Sequence, residues 1–321
     1  MKILRFNKKG EPHSLGRLGL MVDGGYIAAL RSCSAKYLEE VGGDFQAREI
    51  ATLRFPPHVA LFLQIGNAAW AILQTIQPWI EKLAAQTNRK ALGLDNEPLF
   101  LPFDDCYVHI ATRPPSKLIG VRWDSDRKPS DNPPIVLKSN GSVMGPQRKI
   151  AKPLGTNELM SETALGVIIG KKCKNVSEAE ALDVIAGYTV VNDTIACDIE
   201  RAGRETGVSG LGDLFDTFTS IGPWLVTKDE IANPNLLTLI TRINKNDYRR
   251  GTVSVPEWPI EKIVAFASRT TLEPGDVVFV KSGTPSKDAQ YLSVGDVVEC
   301  AIPTVGKIET PVEVPGGKSA H

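Results

Sequence analysis

No stretch of this sequence approaches eighteen consecutive apolar residues, and the opening MKILRFNKKG lacks the apolar core of a secretory leader. A soluble, cytoplasmic protein with no membrane partner is expected. Neither sign of charge is in excess, since Lys plus Arg and Asp plus Glu both number 37. With no net field, nothing points to nucleic acid or to an acidic lipid surface, and the Arg249-Arg250 pair reads as solvated surface. Cysteine is sparse: five residues, at 33, 106, 173, 197 and 300. An odd number without a CxxC spacing argues against both a disulfide framework and a zinc site. No period of twenty to fifty residues recurs, which excludes a repeat architecture.

The chain is long enough, at 321 residues, to bury a substantial core and to divide into two domains. Its most informative stretch runs from residue 158 to 200. Leu165, Val167 and Ile169 belong to an apolar run that reads as a buried strand. Ser177 and Glu180 form a capping box, predicting a helix carried by Ala179, Ala181, Leu182 and Val184 and ended by Gly187. A second β-branched run, Tyr188 to Val191, stops at Asn192-Asp193. Glu162 and Asp193 thus stand at the ends of two neighbouring apolar strands. An unpaired buried carboxylate is costly, so two converging acids suggest a hard cation. The alternative is that Asp193 caps a helix over 194 to 201 while Glu162 faces water.

Elsewhere, residues 1 to 9 read as a strand, and LGLMVDGGYIAAL reads as a hairpin turning at Asp23-Gly24-Gly25. Residues 34 to 54 suit a helix with Ser34 as its cap. Residues 59 to 86 suit an amphipathic helix interrupted at Pro78, with Trp70 and Trp79 as core anchors. Toward the C-terminus, TLEPGDVVFV and LSVGDVVECAI each join a Gly-Asp turn to a β-branched strand, the pattern of a roll- or barrel-like domain.

Five segments carry a resemblance to a known family. They are IAGYTVVNDTIACD (185 to 198), FDTFTSIGPWLVTKDEI (215 to 231), TLEPGDVV (271 to 278), SGTP (282 to 285) and LSVGDVVECAIPTVGKIETPV (292 to 312). From about Pro115 to Val312 the chain resembles the fumarylacetoacetate hydrolase family, whose members bind Mg, Mn or Ca and act on 2-oxo and 1,3-diketo acids. The resemblance implies a β-rich α+β fold. A small β-containing N-terminal domain over 1 to 112 would precede a mixed β-roll or barrel domain over 113 to 321. It also implies a homodimer and a small-molecule carboxylate substrate.

Carried over residue by residue, the resemblance assigns metal ligation to Glu162 and Asp193, with Asp124 as a third acid. The second Glu of the family's ExE pair is Ala164 here. Asp126 stands where the hydrolases place their water-activating His, and none of the four histidines, at 13, 58, 109 and 321, lies there. The family's ARDxQ segment reads Ala196-Cys197-Asp198-Ile199-Glu200, and its substrate-gripping Lys is replaced by Asp213. Lys138, Gly283 and Thr284 match substrate-contacting positions, and Arg204 is a replacement cation on the helix of Cys197. Cys197 itself has no neighbouring base in the sequence and reads as a packing residue.

The expected function is a divalent-metal-dependent hydrolase or lyase acting on a small 2-oxo or 1,3-diketo acid. Asp126 or Glu200 would carry the proton and Mg2+, Mn2+ or Ca2+ would act as Lewis acid. The missing His and Lys favour decarboxylation, dehydration or cyclisation over water-driven C–C cleavage. A catalytically silent binding or interaction module is the rival expectation.

Overall fold

The computed structural model describes residues 1–112, 115–121, 132–253, 258–281 and 289–316. The first half contains strands β1 (Lys2–Lys8), β2 (Arg17–Val22) and β3 (Tyr26–Ala29), and helices α1 (Leu30–Glu40), α2 (Ala47–Arg54), α3 (Val59–Ile65) and α4 (Asn67–Gln86). Short strands follow: β4 (Phe100–Pro102), β5 (Cys106–Val108), β6 (Leu118–Val121), β7 (Ile135–Leu137), β8 (Val143–Met144) and β9 (Ile150–Ala151). The second half contains β10 (Leu159–Ile169), β11 (Ile185–Ala196), α5 (Cys197–Glu205), β12 (Thr219–Thr227), β13 (Thr238–Ile243) and β14 (Asn246–Thr252). It closes with α6 (Ile260–Ala267), β15 (Val277–Lys281), β16 (Val297–Ile302) and β17 (Gly306–Glu313). The fold is α+β and strand-rich, as expected.

Two sheets organise it. The larger runs β4-β3-β2-β1-β12-β11-β10-β15-β6-β7, and the smaller runs β14-β13-β16-β17-β9. The long strands β10 and β11 are buried along nearly their whole length, which explains why both read as continuous apolar runs. Leu165, Val167, Ile169 and Val190 of this pair pack in one apolar cluster with Leu239, Ile243, Val298 and Ile308 of the smaller sheet. Thr163 on β10 also donates to the Ile240 carbonyl at 2.7 Å, fastening the two sheets beside the ends of β10 and β11.

The boundary expected near residue 112 falls between β5 and β6, yet sheet and core continue across it. β1 pairs antiparallel with β12, and Ile3, Leu18 and Phe62 share a cluster with Ala164, Ile168 and Phe279.

Three local expectations meet tertiary constraints. The Ser177–Glu180 box forms, with the Ser177 amide donating to Glu180 Oε2 at 3.0 Å, but only a 3-10 turn (Ala181–Val184) follows. Residues from Ile185 onward are taken by pairing with β10 and β12, so the helix has no room to extend. Gly187 lies inside β11, where a Cβ would meet the Val226 carbonyl oxygen at 2.0 Å. The break expected at Pro78 occurs instead at Gly66, whose φ of +73° separates α3 from α4, while Pro78 stays within α4. Ser34 is a buried residue inside α1, which starts directly from β3, so it caps nothing. Trp70 and Trp79 pack on the core as expected, Trp70 edge-on to Phe62 and Trp79 edge-on to Tyr37.

A histidine cluster lies beside the pairing of β1 with β5. His109 Nε2 lies 2.6 Å from Asn7 Oδ1, and because Asn7 Nδ2 donates to the Lys8 and Glu11 carbonyls, the imidazole is the donor. Its ring meets His13 and Tyr107 edge-on. Burial first, then the charges of Arg5, His13 and His58, push the His109 pKa down from 6.5 to about 3.

Two outcomes are expected. Gly187→Ala should cost about 3 kcal/mol by forcing β11 from β12, measured as a fall in the urea midpoint at constant m. A neutral imidazole favoured by the fold contributes stability fully present above pH 6.5 and lost as pH falls toward 3. His109→Gln should therefore flatten the acid limb of a thermal-midpoint profile in that window, and an unchanged slope would reject this assignment.

Candidate active site

The antiparallel register of β10 and β11 places Glu162 directly opposite Asp193. Cross-strand partners share a face of the sheet, so the two carboxylates lie side by side. Both are buried, Asp193 completely. The next strand, β15, ends at Lys281, and its register sets Lys281 opposite Ala164. Ala164 and Glu162, two residues apart, also share that face.

Lys281 lies between the acids. Its Nζ is 3.1 Å from Glu162 Oε2 and 2.7 Å from Asp193 Oδ2, with a side chain only 4% exposed. Lys138, just past β7, ion-pairs the other oxygen of Asp193, reaches the Thr194 carbonyl at 2.8 Å and approaches Asp213 Oδ1 at 3.3 Å. Arg249 of β14 ion-pairs Glu162 Oε1 from the smaller sheet, and burial lowers its pKa. Among the described residues, three cations thus face three carboxylates. Removing charges from water in this way is tolerated only because each finds an opposite partner.

Asp213 is delivered by a turn that Glu200 holds. The Glu200 carboxylate accepts from the amides of Gly210 (2.9 Å) and Gly212 (3.1 Å), from Ser209 Oγ (3.2 Å) and from Arg204 Nε (3.1 Å). Burial alone would raise its pKa, but these donors outweigh burial and hold it below the usual carboxylate range. Glu200, expected as a proton carrier, is therefore fixed as an ionised anchor for the Leu211–Asp213 turn. Arg204, expected to contact substrate, points a half-exposed side chain back along α5 to Glu200. The other expected residues, Asp124, Asp126, Gly283 and Thr284, lie outside the described residues.

The sequence reading missed Lys281 and Arg249. Lys281 carried a signal: a lysine directly following the apolar run VVFV, which β15 buries along its whole length. Arg249 read as solvated surface, yet its side chain is only 16% exposed. Cys300 completes the surroundings. Burial pushes its thiol up to about 12, leaving it protonated and unsuited to nucleophilic attack.

A divalent ion between Glu162 and Asp193 would need oxygens that already face ammonium or guanidinium groups. Among the described residues no group of three or more His, Cys, Asp or Glu side chains is arranged to hold a metal. As arranged, the described residues by themselves do not fit a resident divalent cation. Among the described residues, the free space recorded at Glu162 is a cavity of about 10 Å3 lined also by Thr163, Leu239, Thr241 and Arg249.

Comparison with known proteins adds to this geometry. Residues 110–313 match the family model for the fumarylacetoacetate (FAA) hydrolase C-terminal domain. The chain is 31% identical, over 97% of its length and 90% of the relative's, to oxaloacetate tautomerase fahd2, mitochondrial, of Xenopus laevis. It is similar to a solved 2-hydroxyhepta-2,4-diene-1,7-dioate isomerase from Mycobacterium marinum (TM-score 0.59, 30% identity, covering 68% of this chain and 82% of that one). In fold it is also similar to maleylpyruvate hydrolase from Sphingobium sp. SYK-6, solved with manganese(II) and pyruvate (TM-score 0.68, 22% identity, covering 98% of this chain and 99% of that one).

Removing one partner of a buried pair leaves an uncompensated charge. Lys138→Met should cost about 3–5 kcal/mol at neutral pH. Chemical denaturation checks this, and equal stability to wild type would mean that Lys138 is not the counter-ion of Asp193.

Proposed function

Because the chain belongs to the fumarylacetoacetate hydrolase family, we propose that it is a metal-independent keto–enol tautomerase of small 2-oxo acids. The observation that carries this reading is the Lys281 ammonium bridging Glu162 and Asp193. Tautomerisation neither consumes water nor breaks a C–C bond, so it makes no demand on the hydrolytic His that the sequence lacks. The named activity of the Xenopus relative supports the same reaction class.

The chemistry requires two things of the protein. A proton leaves the carbon next to the keto group and is returned to the keto oxygen, with no other change in atoms or electrons. Negative charge accumulates meanwhile on that oxygen. A fixed ammonium aimed at the developing oxyanion stabilises it without reorganisation, an effect worth about 100- to 1000-fold in rate at comparable sites. Lys281 is assigned that role. Glu162 is assigned the proton transfer, because it is the least buried of the three acids, at 6% exposure against 0% for Asp193 and Asp213. Lys138 and Asp213 hold Asp193 in place behind them.

A second reading follows from the small cavity at Glu162. Among the described residues it offers about 10 Å3, marginal even for one water. On that reading the charge cluster is purely structural and the protein is a catalytically silent member of its family.

The loss of enol absorbance from oxaloacetate separates these readings. A tautomerase should accelerate the conversion over buffer, keep its rate in EDTA and lose about 100-fold or more on Lys281→Met. No acceleration by folded protein, with or without added Mg2+ or Mn2+, would establish the silent reading, and a rate abolished by EDTA and restored by Mg2+ would overturn metal independence.

A further inference from the structure

We propose that Lys281 is a built-in replacement for a divalent cation, and that a latent metal site lies beneath it. This inference rests on ion-pair geometry and not on turnover, so a silent protein would leave it standing.

Strand register provides the first argument. Lys281 and Ala164 are directly opposed, and the methyl group of Ala164 leaves the lysine stem room to lie along the sheet toward Glu162 and Asp193. Its Nζ then contacts one oxygen of each acid, at 3.1 and 2.7 Å, which is where a cation shared by the two carboxylates belongs. Acid and ammonium come from three adjacent strands of one sheet, so a rigid backbone and not a loop fixes the arrangement.

Charge provides the second argument. Among the described residues, Lys138, Lys281 and Arg249 match Glu162, Asp193 and Asp213 one for one, so each of these carboxylates already faces a cation. Replacing Lys281 by Ala removes one positive charge. Replacing Ala164 by Glu adds one negative charge on the face that already holds Glu162. Together the two changes shift the site by two negative charges, which a single divalent ion restores, and they supply three carboxylates around the vacated position.

The test uses Mn2+ as the probe, with equilibrium dialysis and thermal unfolding as readouts. Wild type should show no saturable uptake at millimolar Mn2+ and no change in its unfolding midpoint. Ala164→Glu/Lys281→Ala should take up one ion per chain about 100-fold or more tighter than wild type, with a Mn2+-dependent rise in midpoint that a further Glu162→Gln change removes. If the double variant does not fold, Lys281→Met, which retains the volume of the stem, replaces it and should show the same rise more weakly. Saturable uptake of one Mn2+ by wild type, lost in Glu162→Gln, would overturn the inference, because the metal would then displace Lys281. So would a folded variant lacking Lys281 that takes up none. Mn2+ uptake by wild type would leave the tautomerase chemistry open, whereas an absent tautomerase rate says nothing against the surrogate.

Discussion

One ammonium group between two carboxylates sets the terms for this structure. Asp193 is completely buried and Glu162 nearly so, and neither could remain charged in that position without a cation beside it. Lys281 supplies that cation to both acids at once, from the end of the strand next to β10. The remaining charges follow from the same need. Lys138 answers the second oxygen of Asp193, Asp213 answers Lys138, and Arg249 answers Glu162.

The fold makes this network rigid. Glu162, Asp193 and Lys281 stand on three hydrogen-bonded strands, so their separations are set by sheet geometry. The smaller sheet brings Arg249 to the same place and is tied there by the hydrogen bond from Thr163 to the Ile240 carbonyl. Glu200 acts one step further back. By gathering the amides of Gly210 and Gly212 it fixes the turn that presents Asp213. A site preorganised in this way presents its charges without reorganisation.

The sequence made much of this legible, and the reasons for the rest are physical. Continuous apolar runs ending in acids revealed β10 and β11, and so the convergence of Glu162 with Asp193. The hairpin of β2 and β3 was legible because Asp23-Gly24-Gly25 dictates a turn locally. The cations were harder to see. Lys281 lies 88 positions and Arg249 56 positions beyond Asp193 (281 − 193 and 249 − 193), and only strand pairing brings them to the acids. Ala164 was visible as a missing acid, but its meaning depends on the residue opposite, which register alone discloses. Glu200 and Arg204 looked available because a helix spacing of four predicts their pairing but not the loop amides that fix Glu200. The helix expected after Ser177 failed for a related reason, since its capping box formed while strand pairing took the residues that would have extended it.

Anomalous diffraction from crystals grown in manganese tests most directly whether the counter-ion of these acids is protein or metal. The account requires unbroken density from Lys281 reaching both Glu162 and Asp193, with no anomalous peak between them. A manganese peak at that point, with the lysine side chain displaced, would contradict it.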